Sequence, residues 1–284
     1  MNWDYFMTIL AQITDLHLRP RGLTCYRVSD TNNLAERAIR ALLALSPRPD
    51  AVVVTGDITD GADAREYALA RHILGRLPMP VYVLPGNHDS SDTLRAAFSD
   101  YPGIRDAPTA SGKLHYTADV GGLRLVALDS SVAGKPFGLL GAEQLAWLDR
   151  VLAEDDRPAV VAVHHPPMAT GIQHMDSIAL HDTDAFAAVL SRHAHVERLI
   201  CGHVHRPIVA GFAGTVMTLA PSTAHQLVLD FDDKAPVDFN FEPPAYFLHC
   251  HLPGSGLVSH LAYVENFPGP YPFWADEGVR WPGE

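Results

Sequence analysis

A chain of 284 residues that is 47% hydrophobic can bury a full core without a disulfide or metal staple, as one large domain or a domain with a small appendage. Its formal net charge of -12, with 33 Asp and Glu against 21 Lys and Arg, argues against a basic face that would grip nucleic acid. A small phosphate ester stays compatible, because bound metal cations reverse the local sign.

The longest apolar runs, such as residues 51–55 and 159–163, fall far short of the ~20 residues that span a bilayer, so no membrane partner is expected. The first ten residues carry Asp4 and no basic cluster ahead of an apolar stretch; they do not read as a secretory signal, and a cytoplasmic location is the expectation. Cys25, Cys201 and Cys250 are scattered and odd in number, which fits reduced thiols better than a disulfide framework.

In chain order, residues 8–14 read as a short apolar strand, and Leu34, Ala38, Ala41, Leu42 and Leu45 fall at helical spacing. A strand over 51–55, a helix over 64–77 and a strand over 81–84 follow, each strand closed by a turn with Gly or Pro. Later strands fit 123–128, 159–163, 199–201 and 216–219, with helices over 142–152 and 185–193, and no internal repeat is visible. Alternating strands and helices predict a layered α/β sheet. Beyond about residue 230, Pro236, Pro243, Pro244, Pro253, Pro268, Pro270, Pro272 and Pro282 interrupt a stretch rich in Phe, Tyr and Trp. The boundaries expected are 7–228 for a catalytic domain and 229–284 for a small cap or oligomerisation segment. Its aromatic content is too high for a disordered tail.

The unusual entry in the composition is histidine, at 16 residues, a titrating group that also ligates metals. Five loops, each after a predicted buried strand, hold nearly all the candidate ligands: Asp15-Leu-His17, Gly56-Asp57, Gly86-Asn87-His88-Asp89, His164-His165-Pro166 and Gly202-His203-Val204-His205. Strand ends on one rim of a sheet converge, so distance in sequence is no obstacle to one site. Carboxylate, amide and imidazole donors without thiolate suit Zn, Mn, Fe or Co better than calcium or a structural zinc knuckle. Two metals ~3.5–4 Å apart need about seven protein ligands with one shared carboxylate, and the loops supply that number. Taken alone, Asp-x-His is weak, and Gly-Asp after a strand is commonly a tight turn and helix cap. The Asn-His-Asp and His-x-His loops are harder to explain as turns, and the ordered set of five harder still.

That set resembles the calcineurin-like metallophosphoesterase superfamily over residues 8–220, and within it the bacterial class III cyclic nucleotide phosphodiesterases and a glycerophosphodiesterase. Local likenesses continue at residues 26–33, Met175-Asp176 and residues 221–226. The resemblance implies a four-layer α-β-β-α sandwich holding two divalent transition-metal ions. Asp15, His17, Asp57 and His205 would bind one metal, and Asp57, Asn87, His164 and His203 the other, with Asp57 bridging. His164 takes the ligand role because the family pattern places a His two residues before a Pro; His165 is left to packing behind it. His88 would lie over the metals without binding them, stabilising phosphoryl oxygens or protonating the leaving alkoxide, with Asp60 orienting it. The expected reaction is in-line attack by metal-activated water on a small phosphodiester, a 3',5'-cyclic nucleotide or a glycerophosphodiester.

Alternatives are a phosphomonoesterase on the same site, a catalytically silent metal-binding scaffold, and a nuclease, for which only Arg19, Arg21 and Arg27 speak. His174 and His225 fall in segments that resemble the phosphodiesterase subgroup near its substrate pocket. His72, His115, His181, His193, His195, His249 and His260 have no evident partners, and Cys201 reads as a small buried residue at a strand end. Self-association through the aromatic C-terminal segment is expected, since it would otherwise leave an apolar patch.

Overall fold

A computed structural model describes residues 7–107 and 112–271. Pro272, Pro282 and the tryptophans of the last residues, part of the expected cap, lie outside the described residues. The elements run β1 (Thr8–Ile13), α1 (Thr31–Ala44), β2 (Ala51–Thr55), α2 (Ala64–Leu74), β3 (Val81–Leu84), α3 (Ser91–Ala97), β4 (Tyr116–Val120), β5 (Leu123–Ala127), α4 (Ala142–Ala153), β6 (Ala159–Ala162), α5 (Gln173–Ser177), α6 (Thr183–Leu190), β7 (Val196–Cys201), β8 (Ile208–Phe212), β9 (Thr215–Leu219), β10 (Gln226–Leu227), β11 (Phe239–Asn240), β12 (Ala245–Leu252) and β13 (Gly256–Tyr263).

Two large sheets result, one ordered β13-β12-β1-β2-β3 and one β4-β5-β6-β7-β9-β8, with β10-β11 as a small ribbon. In the first sheet β1, β2 and β3 are parallel; in the second β5, β6, β7 and β9 are. The central parallel strands β2, β3 and β6 are buried on both faces, which is why they read as nearly unbroken apolar runs. Alternate residues of the second sheet separate the two cores. Leu125, Ala127, Val160, Ala162 and Ile200 join the cluster built on β1, β2, α1 and α2. Val126, Val161 and Leu199 face the other way, into the cluster under α4 and α6. The order of layers is therefore helix, sheet, sheet, helix.

Helix ends differ from the periodicity reading where capping decides them. Helix α2 starts on a reciprocal Asp63–Glu66 capping box and stops at Leu74, because Arg76 and Leu77 turn back in tighter bonds onto Ile73 O and Leu74 O instead of extending the helix to Leu77. Helix α6 runs two to three residues earlier than 185–193: Asp182 occupies the N-cap position, Ser191 ends the helix and His193 falls in the turn beyond. Within the proline-rich segment, residues 245–263 continue the first sheet. Strand β12 pairs antiparallel with β1, and Pro243, Pro244 and Pro253 stand outside the strands where no ladder bond is lost.

A candidate metal centre at the strand ends

The five loops leave the carboxyl ends of β1, β2, β3, β6 and β7, three from one sheet and two from the other, and meet on a single rim. Their backbone is bent to do so: Asp15, His17, Asp57, His203 and His205 all have φ between 43° and 71°. Such left-handed non-glycine residues cost of order 1–3 kcal/mol each, and five of them gather in these loops. The accompanying glycines are needed for close approach. A Cβ on Gly86 would sit 2.1 Å from Asp57 Oδ1, and one on Gly56 2.4 Å from His164 Nδ1.

Hydrogen bonds fix which nitrogen each imidazole offers. His164 donates from Nδ1 to Thr55 O (2.8 Å) and His205 from Nδ1 to His225 O (2.8 Å), so that each turns its Nε2 toward the site. Asp60 Oδ1 stands 3.3 Å from His17 Nδ1 and favours the proton there. His17 Nε2 and His205 Nε2 then face each other at 3.1 Å. His205 Nε2 lies 3.2 Å from Asp15 Oδ1, and Asp57 Oδ2 lies 3.3 Å from His164 Nε2 and 3.8 Å from His17 Nε2. Asp57 therefore stands between the two groups of imidazoles.

Asp15 Oδ1, Asn87 Oδ1, His164 Nε2 and His203 Nε2 are buried without hydrogen-bond partners. Oxygen and nitrogen atoms converging in the interior outside hydrogen-bond geometry suit divalent cations. Burial opposes charge on Asp57, yet His164, His88 and His17 around it hold its carboxyl well below the usual range. Burial likewise opposes charge on His164, but Asp57 keeps that ring up at about 9 in the metal-free protein. Burial pushes His203 far down, with His165 and His164 adding to it, so its ring is neutral and ready to ligate.

His88 lies over this group with its ring edge against His17, centroids 4.7 Å apart, and its backbone N–H donates to Asp57 Oδ1 (2.9 Å). Burial disfavours its charge, but Asp57, the Asp60 carbonyl and carboxylate, and Asp89 together outweigh this and raise it above the ordinary histidine value. Asp60 does hold His88, though by its main chain: His88 Nδ1 donates to Asp60 O at 2.9 Å, while the carboxylate is 3.7 Å away. That carboxylate is taken by Arg19 Nη1 (2.7 Å), by the Cys25 thiol (3.3 Å) and by its approach to His17. Arg19 also faces Glu66, so it is committed within the fold rather than to an anionic partner.

His165 uses both ring nitrogens on its own side, accepting from Ser130 Oγ (2.7 Å) and donating to Pro136 O (3.2 Å). Burial and its neighbour His164 push it down to about 3, and it backs His203 as a neutral ring. His174 and His225 both line a cleft of ≈ 400 Å³ above the ligands, together with Tyr26, Asn87, His88, Met175, Ile178, Leu227 and Phe239. Tyr26, His225 and Phe239 form one aromatic wall, with centroids 4.8–5.3 Å apart.

Two contributions were invisible in the sequence. The Asp89 carboxylate accepts from the backbone of Ile58, Thr59 and Gly86, from Thr59 Oγ1 and from Tyr67 Oη at 2.9–3.1 Å, locking the Asp57 loop to the Asn87 loop. Its place in the Gly-Asn-His-Asp run was the one hint. Phe239 reaches the cleft on the β10–β11 ribbon, whose two-residue strands leave no periodicity to read.

The chain matches the Calcineurin-like phosphoesterase family over residues 9–207. It is 35% identical over 272 residues to a probable glycerophosphodiester phosphodiesterase of Arcobacter nitrofigilis, covering 95% of this chain and 98% of that one. It is 28% identical to the 3',5'-cyclic adenosine monophosphate phosphodiesterase of Escherichia coli K12, over 76% of each. Among solved structures, a dimetal phosphatase from Danio rerio superposes with a TM-score of 0.62 at 16% identity, covering 91% of this chain and 99% of that one, a likeness of fold.

Proposed function

The chain belongs to the calcineurin-like phosphoesterase family, and from that premise we propose that it is a binuclear-metal phosphodiesterase acting on glycerophosphodiesters or 3',5'-cyclic nucleotides. The observation that carries this reading is the convergence of Asp15, Asn87, His164 and His203 donor atoms without hydrogen bonds beneath a cleft that, among the described residues, no lysine or arginine lines. Asp15, His17, Asp57 and His205 would hold one cation, and Asp57, Asn87, His164 and His203 the other. The mixed oxygen and nitrogen donors suit Mn, Fe, Zn or Co. Bound there, two such cations supply a nucleophilic hydroxide at neutral pH and offset charge on the phosphoryl oxygens.

The protein supplies the rest. His88, held through Nδ1 by Asp60 O and raised above the ordinary histidine value, lines the cleft, where its protonated ring would donate to a phosphoryl oxygen or a departing alkoxide. The aromatic wall and the apolar side chains of Met175, Ile178, Leu227 and Val237 suit the second, uncharged arm of a diester. A dianionic monoester brings an extra charge and no second arm for that wall, and among the described residues no lysine or arginine lines the cleft to meet the charge; a diester is the better fit.

Stripping the protein of metal and restoring Mn, Zn, Fe or Co, with glycerophosphocholine, cyclic AMP, bis(p-nitrophenyl) phosphate and p-nitrophenyl phosphate side by side, tests the reading. Metal-dependent turnover of diesters well above the monoester supports it. Silence with every metal would sink it and return the silent scaffold to consideration.

Two wider features go with this reading. Self-association through the first sheet's outer edge is supported by exposed Val258, Leu261, Tyr263 and Phe267 on and beyond β13, and a monomeric mass by light scattering would refute it. A cytoplasmic location is supported by three buried, unpaired cysteines; among the described residues no helix is long and apolar enough to cross a membrane.

A further inference from the structure

A second set of buried polar side chains lies behind the metal ligands. His249 on β12, set aside in the sequence as a histidine without partners, is fully buried and uses both ring nitrogens. Its Nδ1 is 2.8 Å from Ser259 Oγ on β13, and its Nε2 is 3.0 Å from Gln12 Oε1 on β1. Gln12, equally buried, sends its amide nitrogen to Thr55 Oγ1 on β2 and to Cys201 O on β7, both at 2.9 Å.

The direction of every bond follows from one acceptor. A backbone carbonyl cannot donate, so Gln12 must turn its NH₂ toward Cys201 O. Its oxygen then needs a donor, which is His249 Nε2–H, and His249 Nδ1 is left bare to accept from the Ser259 hydroxyl. Burial pushes His249 down to about 3, so the ring stays neutral with a single tautomer.

Each anchor of this chain stands directly behind metal-ligand candidates. Gln12 is three residues before Asp15, Thr55 two before Asp57, and Cys201 two before His203. Thr55 contributes twice, since its carbonyl accepts from His164 Nδ1 (2.8 Å) and from Thr14 Oγ1 (3.2 Å). Because β7 belongs to the second sheet and β1, β2 and β12 to the first, the Gln12 amide bridges the sheets at the rim where their ligands meet. Apolar side chains could fill such a position at equal or better stability; what they cannot do is fix one direction and one length across it.

We propose that Gln12, oriented by His249, is a positioning residue for the metal centre, setting the distance between the ligands of the two sheets and above all the site of Asp57, Asn87, His164 and His203. The inference rests on the metal-centre reading given above. His249→Phe keeps the volume of the ring and removes the donor to Gln12, while His249→Gln can restore an N–H at the same place. Thr55→Val removes one acceptor without changing shape and serves if His249→Phe does not fold.

The test is titration of the metal-stripped full chain with Mn(II), read by calorimetry and by the spin-coupling of a Mn(II) pair in electron paramagnetic resonance. Wild type should take up two ions with a coupled signal. His249→Phe should bind the second ion ~10-fold to 100-fold more weakly and lose the coupling, Thr55→Val should weaken it ~3-fold to 10-fold, and His249→Gln should recover most of the affinity. Unchanged second-ion affinity and coupling in His249→Phe or Thr55→Val, with only the melting temperature lowered, would overturn the positioning role while leaving the metal centre standing. A wild type that binds no metal pair would instead bring down the metal-centre reading and this inference with it.

Discussion

His17 and His205 bring their Nε2 atoms to 3.1 Å across the site, with His17 Nδ1 facing the Asp60 carboxylate at 3.3 Å and His205 Nδ1 hydrogen-bonded to the His225 carbonyl. Two bare lone pairs at that distance repel unless a cation or a proton joins them. The arrangement is therefore a statement about what the fold is built to hold, and it makes the histidines responsive to pH when metal is withheld.

In the metal-free protein the raised histidines, His164 foremost at about 9, should make folding pH-dependent on the alkaline side. A group raised in the fold contributes stability below its unfolded value near 6.5 and loses that contribution as pH climbs through the folded value. The depressed carboxylates act at acid pH, and the histidines pushed down by burial change charge below about 6.5, so neither interferes above pH 7. Denaturant midpoints of the stripped protein should fall between pH 7 and 9. Metal uptake should release protons over the same range, read by calorimetry in buffers of different ionisation heat.

Asp57→Ala should abolish diesterase activity and leave fewer than two bound metals per chain by elemental analysis, since one carboxylate faces both sets of imidazoles. His88→Ala should retain both metals and lose ~10²-fold to 10⁴-fold in kcat. Full activity in either variant would contradict the assignment of that residue.

Asp60→Ala separates the two parts of that residue. The carbonyl that holds His88 survives the substitution, whereas the carboxylate beside His17 Nδ1 does not. The expected result is metal affinity weakened ~10-fold to 100-fold, with turnover at saturating metal close to wild type. A loss of kcat with metal affinity intact would mean the side chain acts on His88 after all.

Asp89→Asn should cost about 2 kcal/mol of stability or more, because an amide NH₂ would replace an oxygen that now meets backbone and hydroxyl donors from two loops. Burial and the charge of Asp57 lift this carboxyl to about 6, so the variant should also flatten the stability change between pH 4 and 6. Thermal melts across that range provide the check.

Phe239→Ala should raise KM for an aromatic or nucleoside diester ~3-fold to 10-fold with kcat little altered, corresponding to about 1 kcal/mol of lost ring contact. Equal KM values for the variant and wild type would remove the aromatic wall from the substrate arm.

The fold was legible where strands are buried on both faces, since β1, β2, β3, β5, β6 and β7 show as apolar runs ended by Gly, Asn or His loops. Strands β4, β8, β12 and β13 mix polar and apolar residues at edges or near them, and α3 and α5 are too short for a helical period. The loops that meet in the centre were legible for the same reason as the strands that carry them. Asp60 was named as the residue that orients His88, but the manner of its hold was not legible, because it comes from a main-chain oxygen that every residue possesses. Gln12 and His249 were not, because their contact spans 237 positions and a lone histidine in a strand carries no pattern.

The left-handed backbone at Asp15, His17, Asp57, His203 and His205 has a consequence for heat resistance. At each of these positions glycine, and to a lesser degree asparagine, relieves the conformation that the ligand side chain endures. Replacing these acids and imidazoles by glycine should therefore raise heat resistance while keeping both sheets, at the expense of the side chains that meet at the rim.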